Sequence, residues 1–499
     1  MIYLGVDIGT SNSKATVVSA DGEVYASATC PHTTSSPRQG WFEHDPEYVW
    51  WDDFCVVIRK VLKAAPRDRV GALSISGIGP CVLVADSVGT PLRAAILYGI
   101  DTRATREIDD LAETLGTEWI QQHTGNRLTT QAVGPKLVWL ARHEPDTYKR
   151  ARRWYSASNY LVGRLSGQYV IDHYSASASV PLYDLTTLDW WPEAWAATAT
   201  GLEQPRLAWP GEVVGEVLPA AAEQTGLEVG TLVLAGTTDA LAEAYSAGCR
   251  GVGDTMVMYG STLFLIQTVA QPVVYPGLWA GSGRTSETFS IAAGMATSGI
   301  LATWLAELTG TNVAQLMAEA ATAPAGSNGL VLLPYFAGER TPLFDPNARG
   351  CWVGLTLNHT RHHLHRSILE GVAYGVRHNL ETMVQAGAPP RRLVAVGGGT
   401  QGDLWIQIVS DVTGLGQDLP TTTIGASYGD ARMAAEACGV DTTPWNPVAR
   451  RFEPNLMVAD TYGELYEVYR RIYPALRDDV HLLASIGSGT PRKVVPRAE

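Results

Sequence analysis

Asp7 lies near the end of the apolar run Ile2–Ile8 and is followed by Gly9-Thr10-Ser11-Asn12-Ser13-Lys14. A carboxylate near the end of a buried strand is costly unless it is paired or bound to a cation. The turn behind it offers backbone N–H groups and several side-chain donors, a combination suited to a hard cation and a phosphate chain. The competing reading is a hairpin whose Asp and Ser side chains only satisfy turn backbone. Ala235-Gly236-Thr237-Thr238-Asp239-Ala240 repeats the theme of apolar strand, small-residue turn and acid at a helix start. Asp239 reads either as a helix cap or as a carboxylate presented for chemistry. Two more strand ends, Tyr259-Gly260-Ser261-Thr262 and Val396-Gly397-Gly398-Gly399-Thr400, open into glycine turns where backbone can approach a ligand.

The elements that must carry these residues are α/β in pattern. Ile2–Ile8, Lys14–Ser19 and Glu23–Thr29 read as three strands, the last two joined at the hairpin signal Asp21-Gly22. An opening antiparallel meander is not a Rossmann unit, in which a helix follows the first strand. A helix is expected from Asp45-Pro46 to about Ala64, a strand over Leu73–Ile78, and helices over Arg103–Leu115 and Pro135–His143. Residues 144–230 are mixed and rich in Trp, Pro and Gly. Thr231–Ala235 reads as a strand and Asp239–Ala247 as a helix. Gly253–Tyr259, a small-residue turn and Leu263–Val269 then echo the N-terminal unit about half a chain later. Helices follow over Leu301–Leu308, His362–Ala386 (entered from Thr360), Leu404–Val412, Tyr428–Ala437 and Tyr462–Ala484, with a strand over Arg392–Val396. The stripe Tyr466, Tyr469, Tyr473 reads as packing.

With 499 residues the chain exceeds what one hydrophobic core supports, so two domains are expected, 1–247 and 248–499. The boundary falls at Gly248, Gly251 and Gly253, where a hinge is expected. Apolar residues at 45% and charged residues at 17% are ordinary for a globular protein. A net charge of −13 disfavours a nucleic-acid partner. No stretch approaches the ~20 apolar residues of a bilayer span. The N-terminus has no basic segment ahead of its apolar run, so neither a membrane nor export is expected. The scattered cysteines 30, 55, 81, 249, 351 and 438 show no metal-binding spacing and suit a reducing cytoplasm. His359, His362, His363 and His365 cluster at a helix entrance without Cys or paired acids at ligand spacing. They read as ordinary polar residues there.

Taken together, the segments resemble the FGGY family of carbohydrate kinases over about residues 2–440. Gly350, Trp352, Gly354, Leu355, His363, Leu364, Ser367, Ile368, Leu369 and Glu370 match the family's C-terminal signature in register. Gly338-Glu339-Arg340-Thr341-Pro342 and Trp41-x-Glu43-x-Asp45-Pro46-Glu47 with Trp50-Trp51 resemble further family runs. The N-terminal signature is met by Lys136, Leu137, Trp139, Leu140, Arg142 and His143 but not by Gln131 and Val133. The resemblance implies a two-domain, actin-like (ribonuclease-H-like) α/β fold of mixed sheets flanked by helices, with ATP in the interdomain cleft. It implies that Asp7 helps hold Mg²⁺ and that Thr10, Ser11 and Ser13 line the terminal phosphates. Gly260, Ser261 and Thr262 would form the second phosphate loop. Gly398, Gly399, Asp403 and Gly299 would border the nucleotide, and Asp239 would be the catalytic base. Phosphoryl transfer needs chiefly positioning and charge stabilisation, with a carboxylate accepting the alcohol proton.

Within the family the pentulose (xylulose) kinases resemble the chain most, and D-xylulose is the expected acceptor. The pocket departs from their pattern. Gly77-Ile78-Gly79-Pro80-Cys81 stands where they carry Gly-Gln-Met-His-Gly, so Gly79 and Pro80 face the sugar without a His. Tyr98-Gly99-Ile100-Asp101-Thr102-Arg103 replaces their Trp-Asn-Asp-x-Arg, leaving Asp101 and Arg103 as sugar contacts. Losing a donor and acceptor changes which hydroxyls are satisfied. Glycerol, ribulose and gluconate therefore remain alternative acceptors, and a non-kinase actin-like ATPase is the alternative of another class. The expected partners are ATP and a small sugar, with a homodimer as the candidate assembly.

Overall fold

The computed structural model describes residues 1–487. Its N-terminal sheet is built on β1 (Ile2–Ile8), β2 (Asn12–Val18) and β3 (Val24–Pro31), paired antiparallel in succession. β4 (Val70–Gly77) lies parallel to β1. β5 (Val213–Glu216) pairs antiparallel with β6 (Leu232–Leu234), which lies parallel to β4. The second sheet repeats this plan. β7 (Asp254–Tyr259) and β8 (Leu263–Val269) form a hairpin, and β9 (Trp279–Ser282) and β10 (Phe289–Met295) extend it antiparallel beyond β8. β11 (Arg392–Val396) and β12 (Gln417–Pro420) continue parallel on the other side of β7, and β13 (Val448–Phe452) closes the edge antiparallel. The core orders β3-β2-β1-β4-β6 and β10-β8-β7-β11-β12 are therefore the same. The echo expected from residues 2–19 and 253–269 extends to five strands in each half.

Several elements differ from the sequence expectation. The helix over 45–64 has two parts: a wider π-type turn over Pro46–Asp52, then α1 (Asp53–Ala64). The Asp45 carboxylate caps the first part, accepting from the amides of Glu47 at 2.9 Å and Tyr48 at 3.1 Å. The helix expected from Arg103 starts at Thr105, because Arg103 is tied into an ion pair described below. β9, β10, β12 and β13 were not expected. Phe289–Met295 is rich in Ala, Ser and Gly, and Gln417–Pro420 is short and polar, so neither carries a strand-like pattern. The tyrosine stripe lies on the terminal helix α5 (Ala459–Gly487) and packs inward. Tyr469 shares a 2.7 Å hydroxyl contact with Tyr335.

The helices join the two sheets by exchange. α2 (Asp239–Ser246) follows the first sheet in the chain, yet Ala244, Ala247 and Cys249 at its end pack with Met256, Ile266, Val394 and Val396 of the second sheet. α3 (Arg361–Gln385) covers the second half. α4 (Ala426–Ala437) follows the second sheet, yet Ala426, Tyr428 and Ala431 pack with Tyr3, Val18, Ala72 and Leu234 of the first. A cut at residue 247/248 therefore does not separate the two packed bodies, because α4 belongs structurally to the first. Gly248 and Gly253 at that cut have φ of +77° and +91°.

α2 and α4 cross at backbone contact. A Cβ on Gly429 would lie 1.9 Å from the Ala242 carbonyl oxygen. One on Gly5 of β1 would lie 1.9 Å from the Ser427 carbonyl oxygen. The alanine-rich faces of α4 complete this close approach. Gly429→Ala is expected to destabilise the protein by about 2–3 kcal/mol or more, since a rigid backbone neighbour cannot yield. Gly463→Ala, on α5 with open space around it, should stabilise by roughly 0.4–1 kcal/mol. Urea unfolding of the two variants reads both signs. Equal midpoints for parent and Gly429→Ala would show that the crossing is looser than described.

Candidate active site

The β1–β2 register sets the first turn: Asp7 lies opposite Lys14, and Ile8 opposite Ser13. Strand alternation then puts Asp7 and Lys14 on one face of the sheet and turns Ser13 to the other. Ser13 is fully buried and donates to Asp53 Oδ2 at 3.2 Å. The expectation that Ser13 lines the phosphates is therefore corrected. Thr10 stays half-buried, its hydroxyl 3.0 Å from that of Tyr98, and Ser11 is exposed. Lys14 is the cation of this turn, a role sequence reading did not assign although the residue stood in the quoted run.

Asp239 opens α2, half-buried, with Oδ1 accepting the Ala240 amide at 2.8 Å. Thr237 and Thr238 pair with Ser76 and Gly77 of β4, which fixes the turn beside the first strand ends. Glu243 stands four residues on, on the same helical face. Burial, then the Asp7 charge, then Glu243 push Asp239 up to about 7. Burial and then Asp7 push Glu243 up to about 7, opposed by Lys14 and the Ala426 amide. Burial raises Asp7 as well, with Lys14 and Ser76 opposing. Asp7, Asp239 and Glu243 thus crowd one cleft with a single nearby lysine among the groups that act on them. Glu243 was missed in the sequence, where i,i+4 spacing from Asp239 was the available signal.

Behind Asp7 lies a fourth carboxyl, Asp430 of α4, fully buried. It takes Ser74 Oγ at 3.0 Å, Ser76 N at 3.1 Å and Ser76 Oγ at 2.5 Å, and Ser76 Oγ also lies 3.4 Å from Asp7 Oδ1. Burial holds Asp430 well above the usual carboxylate range. Through Ser76 the exchanged helix reaches the back of the Asp7 carboxylate.

The second half supplies glycine turns. The carbonyls of Gly260 and Ser261 accept from the amides of Gly299 and Ser298, each at 2.9 Å. Gly299 has to be glycine, since a Cβ there would lie 2.7 Å from the Gly260 carbonyl oxygen. A Cβ on Gly398 would meet nothing within 4 Å, whereas on Gly399 it would meet Trp405 and Tyr259 at 2.8 Å. Gly398 therefore borders open space and Gly399 is a packing glycine. Asp403 is exposed, and its two oxygens are held by Arg450 at 2.7 and 2.8 Å, so its carboxylate is already committed at the surface.

Two sugar-contact expectations are also corrected. The Asp101 and Arg103 side chains have 0% exposure and form a bidentate pair, with Arg103 Nη2 2.7 Å and Nε 2.9 Å from the carboxylate. Asp101 also accepts the Phe42 amide, and Arg103 reaches Glu43 while lying over the Trp41 ring. With every polar atom so engaged, the pair shapes the 98–103 loop and offers no surface to a sugar. Pro80 is buried. Gly79 sits between Ser156 and Thr238, each 3.3 Å from where its Cβ would be, directly beside the Asp239 turn. Lys136 of the N-terminal signature is buried and donates to the carbonyls of Leu97 at 2.7 Å and Tyr98 at 3.0 Å, so it holds the same loop. Glu370 of the C-terminal signature is buried too, taking Arg366, Ser327 and Tyr462. Among the described residues no group of three or more His, Cys, Asp or Glu is arranged to hold a metal directly, the His359–His365 cluster included. His363 instead caps α3 with Thr360.

Comparison with known proteins gives the same assignment. Residues 2–245 match the N-terminal domain of the FGGY family of carbohydrate kinases, and residues 255–438 match its C-terminal domain. The structure superposes on that of a xylulose kinase from Rhodospirillum rubrum with a TM-score of 0.90 and 32% identity, covering 96% of this chain and 100% of that one. The xylulose kinase of Escherichia coli K12 is 28% identical over 485 residues, covering 95% of this chain and 99% of its own. A glycerol kinase from Alkalilimnicola ehrlichii is 29% identical over 456 residues, covering 88% and 90%. With both family domains matched along the chain and the whole fold superposing on a xylulose kinase, the chain belongs to the FGGY family of carbohydrate kinases.

Proposed function

We propose that this carbohydrate kinase phosphorylates a pentulose, D-xylulose first among them, with Asp239 as the base. The observation that carries the reading is Asp239 itself: a half-buried carboxylate at the strand–helix turn, bonded only to its own helix among the described residues, with an affinity for protons raised by burial and then by Asp7. The acceptor hydroxyl gives its proton to Asp239 as its oxygen bonds to the γ-phosphorus. The bond from that phosphorus to the β–γ bridging oxygen breaks, and ADP leaves. Thr10, Ser11 and Gly260–Thr262 line the phosphates from opposite sides, and Gly299 and Gly398 border the adenosine. The first sheet carries the sugar and the base, and the chain from residue 248 carries most of the nucleotide contacts. Six unpaired cysteines favour a reducing, cytoplasmic setting.

Mg²⁺ fits Asp7. That carboxylate has one weak hydrogen bond, and Asp239, Glu243 and Asp430 feel its charge, an excess that a dication would offset. Mg²⁺ usually takes one or two carboxylates and keeps several waters, which agrees with a cleft lacking a direct three-ligand set among the described residues. When bound, it neutralises charge on the phosphate oxygens.

A second reading, a kinase for another polyol such as glycerol, is favoured by Gly79-Pro80, which brings no side-chain donor or acceptor to the Asp239 turn. Release of ADP across a panel of pentuloses, polyols and aldonic acids separates the two. The Pro80→His variant should reorder that panel while the ATP KM stays within about twofold. An unchanged ranking would remove residue 80 from the determinants of acceptor choice.

Asp239→Asn is expected to fold and bind nucleotide but lose about 10²–10⁴-fold in kcat. Retention of more than half the parent turnover would reject Asp239 as base. The base works ionised, and its folded value is raised to about 7, so protonation switches it off as pH falls. The pH profile of kcat/KM should therefore show an acid limb, with its midpoint at or below about 7 because a dication beside Asp7 favours the ionised form. A rate that is flat from pH 8 down to 5 would contradict this.

A further inference from the structure

The first phosphate turn is held from behind by two histidines that the reaction does not use. His32 and Thr34 alternate beyond the end of β3 and point to the same side. The His32 amide donates to the Ser11 carbonyl at 2.9 Å. His32 Nε2 lies 3.1 Å from the Gly9 carbonyl oxygen, and Nδ1 lies 2.7 Å from Asp53 Oδ2. The carbonyl can only accept. Nε2 therefore carries a hydrogen and donates to Gly9, whichever of His32 and Asp53 holds the proton between them. Asp53 is steadied by Ser13 Oγ and Cys30 Sγ, both at 3.2 Å.

The second chain fixes the next carbonyl. Thr34 Oγ1 donates to the Thr10 carbonyl at 2.9 Å, so it must accept from His44 Nε2 at 3.1 Å. His44 Nδ1 then accepts the Trp50 indole N–H at 3.2 Å. Each donor finds one acceptor, which requires a neutral His44. Burial, which lowers His44 to about 4, agrees. Trp50 and His44 belong to the 41–51 run, whose role the reaction left open.

The carbonyls of Gly9, Thr10 and Ser11 are thus all engaged on the side away from the cleft. Among the described residues the amides of Thr10 and Ser11 have no acceptor. A phosphate is repelled by carbonyl oxygens and bound by amides, so tying the former back leaves the latter free for it. The equivalent turn of the second half solves the same problem with main chain, through the amides of Ser298 and Gly299.

We infer that His32, with Asp53, and His44, through Thr34, are positioning residues that orient the Thr10 and Ser11 amides toward the terminal phosphates of the nucleotide. This rests on the reading that this turn binds those phosphates. The test compares calorimetric binding of a non-hydrolysable ATP analogue with that of AMP, whose adenosine and α-phosphate engage chiefly the second half. His32→Ala and Thr34→Val should each weaken the ATP analogue about 5–10-fold, the order expected for one misplaced hydrogen-bonding group. AMP affinity should stay within twofold, and His32→Gln, which keeps a donor for Gly9, should recover part of the loss. A purely structural role would lower the melting temperature and leave the ratio of the two affinities unchanged, which would overturn the inference. Should His32→Ala not fold, the near-isosteric Thr34→Val carries the test. Ser11→Asp, an exposed change that sets a charge against any bound phosphate, guards the underlying reading. Loss of analogue binding in Ser11→Asp but not in the His32 and Thr34 variants rejects the positioning role alone. Parent-like binding in all of them rejects the phosphate turn itself, and the inference with it.

Discussion

The crossing of α2 and α4 at backbone distance is the constraint on which the rest depends. α2 brings Asp239 and Glu243 to the cleft while its far end packs on the second sheet. α4 lies on the first sheet and sets Asp430 behind Asp7. Each helix is thus bound to the sheet it does not follow in the chain. Gly429 over the Ala242 carbonyl and Gly5 under the Ser427 carbonyl permit this, because any side chain there would overlap backbone. Gly248 and Gly253 follow α2 in conformations that favour glycine.

The second organising force is electrostatic cost. Asp7, Asp239 and Glu243 are half-buried together. Burial raises the proton affinity of all three, and the Asp7 charge raises that of Asp239 and Glu243 further. A protein selected only for stability would not place them so, since crowding buried acids disfavours the folded state. The arrangement makes sense for a site that receives a dication and must take a proton from an alcohol. Lys14 tempers the crowding from β2, and burial raises the proton affinity of Asp430 behind it.

The two turns after β1 and β7 show one requirement met twice. In both halves the turn carbonyls are held by donors packed behind them. The second half uses the amides at a helix entrance, and the first uses side chains just beyond β3, backed by the 41–53 segment. The family signatures lie elsewhere. Lys136 and Glu370 are buried and hold a loop and a helix, so they mark the scaffold rather than the chemistry.

Much of this was determined by sequence alone. Apolar runs ended by Asp7, by the Thr237-Thr238-Asp239 turn and by glycines located the strand ends, and hairpin and helix signals gave most elements within two or three residues. The echo between the halves was visible, and the family signature was matched position by position. What tertiary structure decided was the use of each side chain. Ser13 turns inward because β2 alternates and Asp53 waits behind it. Asp101 and Arg103 neutralise each other because the loop folds them together under Trp41. Glu243 and Lys14 enter the site only once α2 and β2 meet. α4 joins the first sheet through an approach that no local pattern records, and short strands such as Gln417–Pro420 exist only by pairing. Local sequence carries periodicity and turn chemistry. Which partner satisfies a buried polar group depends on residues hundreds of positions away, and only packing brings them together.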